Sequence, residues 1–243
     1  MCAARELQAK QLISRHRKSW REGSFLAGLE PEALEALVAG RPTTCLEPGK
    51  QLIVEGDPAG DVFLLFDAVM TVTMRPSMLL AFRVGGDIVG EMAIMEGGTR
   101  SATVTARSGR LAVAVPGDTF MAIIEDYPDA RKLLDSMLSG RLRDSDKRRA
   151  DFRACSVLQR VARELARLAE EYGQSGPGGT PSTLTRMGIT QKDLAMLVGA
   201  GVATVEDAVT ELKSRGILKW AYRTFEILDV KALRRVAYKG NSS

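Results

Sequence analysis

In the stretch "GEMAIMEGGTRSATV", residues 90–104, a carboxylate, Glu91, and a guanidinium, Arg100, stand nine positions apart, and the hydroxyl of Ser101 follows at once. Between them lie an apolar run from Met92 to Met95 and the glycine pair Gly97 and Gly98. Glycines permit a bend that turns backbone N–H groups toward a ligand. A guanidinium offers a planar fork matched to phosphate. A carboxylate accepts hydrogen bonds from sugar hydroxyls. The combination suits a small phosphorylated sugar. The competing reading of Glu91 and Arg100 is a surface ion pair, which contributes little to stability; the glycines and Ser101 favour the ligand.

Composition narrows the classes of function. The chain has 243 residues, 45% hydrophobic and 26% charged, which fits one large or two medium globular domains. No run of about 18 apolar residues suggests a membrane span, and the charged N-terminus "MCAARELQAKQLISRHRKSW" lacks the apolar core of a signal peptide. A cytoplasmic protein without a membrane partner is the expectation. Cys2, Cys45 and Cys155 are too widely spaced for a zinc or iron–sulfur cluster, and the lone His16 sits in a basic stretch. Metal, haem and iron–sulfur cofactors are therefore not expected. With one histidine and no nucleophile–base pair, an enzyme is not expected either. Residues 157–243 hold 13 Lys and Arg against 9 Asp and Glu, whereas residues 1–156 balance at 21 each. The basic C-terminal part is consistent with a nucleic-acid partner and equally with an ordinary solvated surface.

The elements that must position these residues follow from pattern. Residues 1–40 read as helical. From 44 to 115, short apolar runs alternate with the turn signals PG, EGD, GGD and SG, which predicts a β-barrel or sandwich interrupted by the Glu91–Arg100 bend. A long helix follows "EDYPDA", with Leu134, Leu138, Leu142, Ser145 and Phe152 near one stripe. It would pair with its twin in a homodimer or pack on its own domain. "SVLQRVARELARLAEEYG" is amphipathic and ends at Gly173, and "GQSGPGGTPST" reads as a surface loop. Thr190 can cap a helix holding Leu194 and Leu197. "VGAG" turns the chain, and a second helix from about Val202 to Ser214 buries Val205, Val209 and Leu212. "GILKWAYRTFEIL" reads as a β-hairpin wing. The fold class is α+β. An N-terminal β-barrel or sandwich with its helices would occupy 1–126, the long helix 127–154 and a winged helix-turn-helix domain 155–243.

This order, with "LEPGKQLIVEGDPAGDVFLL", "GEMAIMEGGTRSATV", "TQKDLAMLVG" and "SRGILK", resembles the cyclic-AMP receptor protein and fumarate-and-nitrate-reduction regulator family over nearly the whole chain, roughly Gly23 to Tyr238. The resemblance implies a jelly-roll domain for a cyclic nucleotide, with cAMP the first expectation and cGMP or a cyclic dinucleotide the alternatives. It implies that Glu91 accepts from the ribose 2′-hydroxyl and that Arg100 pairs with the cyclic phosphate. Gly90, Met92, Ala93, Ser101 and Ala102 would complete that shell. Arg141 would stand near Glu91, and Ser145 and Asp146 would meet the purine, Asp146 as an acceptor suited to guanine.

The second helix departs from the family pattern, which carries arginines at its start. Here Val202 and Ala203 occupy the usual Arg-Glu pair, and Asp207 stands where a second arginine is expected. Glu206 and Glu211 add carboxylates to a helix meant for a polyanion. Arginine–guanine contacts, worth roughly 1–3 kcal/mol each, cannot form there. Ala68 also replaces a usual turn glycine, and the hairpin "TMRPSMLLAF" is short. The sequence thus reads as a dimeric, cyclic-nucleotide-responsive transcription regulator, with RNA polymerase or another regulator as a further partner. Double-stranded DNA would be held, weakly and with little specificity, by Gln191, Lys192, Thr204, Thr210, Lys213, Arg215, Lys219 and Arg223 alongside Val202, Ala203 and Asp207. The alternative is a nucleotide-sensing interaction module that has lost DNA reading and docks a protein through its acidic second helix.

Overall fold

The computed structural model describes residues 2–75, 78–175, 182–183, 187–221 and 224–238. Arg223 and residues 176–181 of the Gly/Pro/Ser segment lie outside them. The chain forms two compact units, residues 1–141 and 142–243. The first begins with helices α1 (Cys2–Arg17), α2 (Phe25–Gly28) and α3 (Pro31–Val38). Strands β1 (Thr43–Cys45), β2 (Gln51–Ile53), β3 (Asp61–Met74), β4 (Met78–Val84) and β5 (Ile88–Val89) follow. Then come the short helix α4 (Glu91–Glu96), β6 (Thr103–Pro116), α5 (Gly117–Asp126) and the long α6 (Pro128–Ala154). The second unit adds α7 (Val157–Tyr172), β7 (Gln174–Ser175), β8 (Ser182–Thr183), α8 (Gln191–Val198), α9 (Val202–Ser214), β9 (Leu218–Ala221), β10 (Thr224–Ile227) and α10 (Val230–Tyr238).

Two 14-residue strands, β3 and β6, form the spine of the first unit and pair antiparallel along nearly their whole length. β4 joins the other edge of β3, β5 pairs with its start, and β1 and β2 pair with β6. Register shifts in β3 between Leu65 and Asp67, Asp67 and Ala68, and Val69 and Met70 let one strand curl through the roll. Ala68 lies within β3 opposite Gly109, and the β3–β4 hairpin closes at the Met74–Met78 pair. One apolar cluster fills the roll, from Leu46, Ile53, Leu65, Met70, Val89, Val104 and Ala112. A second joins the outer face of the sheet to α1, α2, α3, α5 and the start of α6, through Phe25, Leu34, Leu64, Phe66, Val115, Phe120 and Leu134. Trp20 ties the N-terminal segment to the sheet by donating from Nε1 to the Phe66 carbonyl at 3.0 Å.

Leu134 was expected on a dimer stripe. It is fully buried in this second cluster, with Leu138 packed partly against it. The apolar spacing near the start of α6 therefore serves the domain's own core. Farther along, Leu142 and Phe152 are exposed, and the Arg160 guanidinium lies 5.1 Å from the Phe152 ring. The division between the units falls inside α6, between Arg141 and Leu142. Among the described residues, no helix is long and apolar enough to cross a membrane.

In the second unit, α7 buries Val161, Leu165 and Leu168, and α9 buries Val205, Val209 and Leu212. The buried Glu164 is held by Arg167, which also bonds Glu171. Burial opposes the charge on Arg167, yet Glu164, Glu171 and Tyr172 raise its pKa above the ordinary value. α8 opens with a capping box: the Asp193 N–H donates to Thr190 Oγ1 at 3.1 Å, and the Thr190 N–H donates to Asp193 Oδ2 at 2.8 Å. It closes at Gly199, whose φ of 57° is left-handed, with the Ala200 N–H donating to the Ala195 carbonyl at 3.0 Å. The hairpin β9–β10 continues through β8 to β7 in a four-stranded sheet. Two pieces of that sheet lie in the segment read as loop, and α10, which packs on α7, was not anticipated.

At Gly199 a Cβ would fall 2.2 Å from the Phe152 ring, in addition to the left-handed backbone. Gly199→Ala is expected to destabilise the second unit by about 1–2 kcal/mol. Hydrogen exchange in α8 and α9 under urea should show the loss there and leave β3 and β6 unaffected.

Candidate nucleotide and DNA sites

β5 runs beside the start of β3 and delivers the chain to Gly90, where φ is 92° and α4 begins. A side chain there is excluded. A Cβ would lie 2.7 Å from Arg100 Nη1 and 3.0 Å from the Asp61 carbonyl oxygen. Arg100 returns from the far side of the bend. Its backbone N–H donates to the Asp57 carbonyl and its own carbonyl accepts from Gly56, both at 2.9 Å. Its guanidinium, on a residue only 7% exposed, donates from Nη1 to the Gly90 carbonyl and from Nη2 to the Asp61 carbonyl, each at 2.8 Å.

Those two bonds use two of the five N–H groups of an arginine. No carboxylate lies within ion-pair distance of Arg100 among the described residues. Burial lowers its pKa from the ordinary value, against the raising pull of Asp61, Glu91 and Asp57. An arginine nevertheless stays protonated. The result is a buried cation braced by carbonyl dipoles and lacking a bonded counter-charge, an arrangement a protein rarely tolerates unless an anion completes it.

Glu91, at 2% exposure, does not pair with Arg100. Its Oε1 accepts from Arg141 Nη1, and Arg141 Nη2 donates to the Ile88 carbonyl at 3.1 Å. Glu91 Oε2 is buried without a hydrogen-bond partner. The surface ion pair weighed from sequence is thus replaced by two separate buried groups, each with bonding capacity to spare. Around them, Ser101 is exposed, Ala102 and Gly90 are half-buried, Met92 is 40% exposed and Ala93 is buried. Ser145 and Asp146 belong to the second unit, where Ser145 is half-buried and the exposed Asp146 pairs with Arg149 at 3.7 Å. The carbonyls of Asp61, Ile88 and Gly90 were not anticipated, since backbone acceptors leave no mark in residue type.

The helix-turn-helix places Gln191 and Lys192 at the start of α8, Gln191 half-buried and Lys192 exposed. On α9, Val202, Ala203, Thr204, Glu206, Asp207, Thr210 and Lys213 are exposed, and Lys219 is exposed on β9. Arg215 is paired with Glu211. No group of three or more His, Cys, Asp or Glu able to hold a metal ion occurs among the described residues.

A curled antiparallel roll with a buried, anion-seeking arginine, followed by a helix-turn-helix and hairpin wing, defines a ligand-responsive DNA-binding regulator. A family model for the cyclic nucleotide-binding domain matches residues 43–127, and one for the Crp-like helix-turn-helix domain matches residues 159–236. The chain belongs to the CRP/FNR family: it is a cyclic-nucleotide-responsive transcription regulator with a helix-turn-helix DNA-binding domain. Members of this family are transcription regulators, not enzymes, and act as dimeric DNA-binding proteins. The CRP-like cAMP-activated global transcriptional regulator of Mycobacterium tuberculosis is 28% identical over 221 residues, 89% of this chain and 97% of that protein. The cyclic AMP receptor protein of Thermus thermophilus is 23% identical over 215 residues, 87% of this chain and 95% of that one. Among solved structures, the c-di-GMP responsive global regulator CLP of Xanthomonas campestris matches with a TM-score of 0.68 at 19% identity, over 82% of this chain and all of that one. At that identity the likeness shows the shared fold. Nothing in these comparisons favours the interaction-module alternative.

Removing the Arg141 side chain leaves the Glu91 carboxylate buried and unpaired. Arg141→Ala is expected to cost about 3 kcal/mol, the low end of the range for a broken buried pair because Arg141 is partly exposed. Replacing both partners, as Glu91→Gln with Arg141→Met, should recover most of it. Equilibrium urea unfolding of the three proteins checks both statements.

Proposed function

We propose that the roll binds cAMP, with Arg100 carrying the cyclic phosphate and Glu91 the ribose hydroxyl. Gly90, Met92, Ala93, Ser101 and Ala102 line the phosphate shell. Arg141 fixes Glu91 in place. The observation that carries this reading is the buried Arg100 guanidinium without a bonded carboxylate. The orphaned Glu91 Oε2, an acceptor on the same bend, supports it. The Mycobacterium tuberculosis relative is cAMP-activated, which favours cAMP over cGMP or a cyclic dinucleotide.

The protein acts as a cytoplasmic homodimer, held through the part of α6 that leaves Leu142 exposed rather than through Leu134. Nucleotide binding shifts the population between two arrangements of the DNA-binding domains. Lys192, Lys213, Lys219 and Arg223 contact phosphates, Gln191, Thr204 and Thr210 lie near bases beside Val202, Ala203 and Asp207, and RNA polymerase or another regulator is the further partner. The unpaired Glu206 and Asp207 on α9 make the DNA complex weak.

Arg100→Gln removes the charge but keeps an amide to bond a strand carbonyl. Charge-assisted bonds contribute roughly 1.5–3 kcal/mol each, so cAMP affinity by calorimetry should fall at least tenfold while the circular dichroism spectrum stays unchanged. Equal affinity in the two proteins would remove the phosphate role of Arg100; cGMP and c-di-GMP, run alongside, establish the preferred ligand. For DNA, Val202→Arg with Asp207→Arg should tighten binding and steepen log K against log salt by roughly 0.9 for each phosphate newly neutralised. Gel shifts over a salt series measure that slope. A wild-type protein that already selects a tight palindrome at physiological salt would overturn the account of α9.

A further inference from the structure

We propose that α9 reads its operator through thymine methyl groups, and that its contacts to bases do not depend on guanine. The inference rests on the DNA-binding reading of this helix and specifies what the helix can recognise.

The first half of a recognition helix is the part that meets base edges in the major groove. In α9, Val205, Ala208, Val209 and Leu212 are turned into the unit's core. That leaves Val202, Ala203, Thr204, Glu206, Asp207, Thr210 and Lys213 exposed; Val202, Ala203, Glu206, Asp207 and Thr210 follow the three- and four-residue spacing of one side of the helix, and Lys213 stands in its last turn, beyond the half that meets bases. Its chemistry is narrow: Val202 and Ala203 offer only methyl groups, and Glu206 and Asp207 offer only acceptors. Neither carboxylate has an ion-pair partner among the described residues. Glu211, one turn on, is occupied by Arg215.

Guanine presents two acceptors, N7 and O6, to the major groove; thymine presents a methyl group, and cytosine and adenine present amino donors. Carboxylates repel the guanine edge and accept from the amino groups. Val202 and Ala203, at the first two positions of the helix, supply apolar surface for the thymine methyl. Thr204 in the first half of the helix and Thr210 in the second add exposed hydroxyls, and a hydroxyl does not favour one base. Whatever selectivity α9 has is therefore carried by methyl contact, by avoidance of guanine and by acceptance from the amino groups of cytosine and adenine.

The test starts from duplexes enriched by the full-length protein from a random-sequence library, with and without cAMP. The recovered site is then made in three forms: natural, with uracil in place of thymine, and with 7-deazaguanine in place of guanine. Burial of one methyl corresponds to about a fourfold change in affinity. The uracil form should therefore bind about fourfold more weakly for each methyl contacted, and the 7-deazaguanine form should bind within about twofold of the natural one. Val202→Ser, at an exposed position, should narrow the thymine-to-uracil ratio without changing the urea midpoint. Equal binding of the uracil form, a tenfold loss with 7-deazaguanine, or an unchanged ratio in Val202→Ser would overturn this mode of reading while leaving DNA binding intact. A library from which the protein retains no duplex would overturn the DNA-binding role of α9 itself, and the inference with it.

Discussion

The nucleotide-binding unit is organised around one charge that the fold buries but does not neutralise with a bonded carboxylate. Arg100 is held at 2.8 Å by the carbonyls of Gly90 and Asp61, at the ends of two different strands. The left-handed Gly90 is needed so that this guanidinium can approach, and the returning segment is bonded to Gly56 and Asp57. Carbonyl dipoles make the desolvated cation bearable, but they do not substitute for an anion. Much of the bend's geometry is thus the cost of keeping that positive charge available.

Glu91 is the complementary case. Its partner, Arg141, comes from α6, a helix whose first turns are anchored in the domain core by Ala130 and Leu134. The acid at the start of α4 is therefore held by the same helix whose later turns belong to the second unit. Arg141, which also holds the Ile88 carbonyl, is the last residue of the first unit.

The legible parts of the sequence were those with local signals. The Thr190 cap, the turn at Gly199 and the apolar spacing of Val205, Val209 and Leu212 fix α8 and α9, and the structure has α9 over Val202–Ser214 as read. The bend at 90–101 was marked by its glycines, but the six-residue helix α4 inside it was not, because Met92 to Met95 is too short a run to show a period. Partner choice was less visible. Glu91 and Arg100 are close in sequence yet bond different groups, and the pairing with Arg141 followed from family likeness rather than spacing. Leu134 and Leu142 share a stripe on α6, but only packing against Phe120 and its neighbours separates the buried one from the exposed one.

The division of labour on α9 has an evolutionary consequence. The residues that keep the helix folded are all on its inner side, and those facing outward bear no structural load. Exchanges at exposed positions of this kind usually alter stability by no more than about 0.5 kcal/mol. Positions 202, 203, 206 and 207 can therefore drift from one set of side chains to another through fully folded intermediates. With α9 reading DNA as proposed, such a regulator can move among target promoters while its sensor remains the same, and the same freedom lets an engineer rewrite its address without rebuilding the protein.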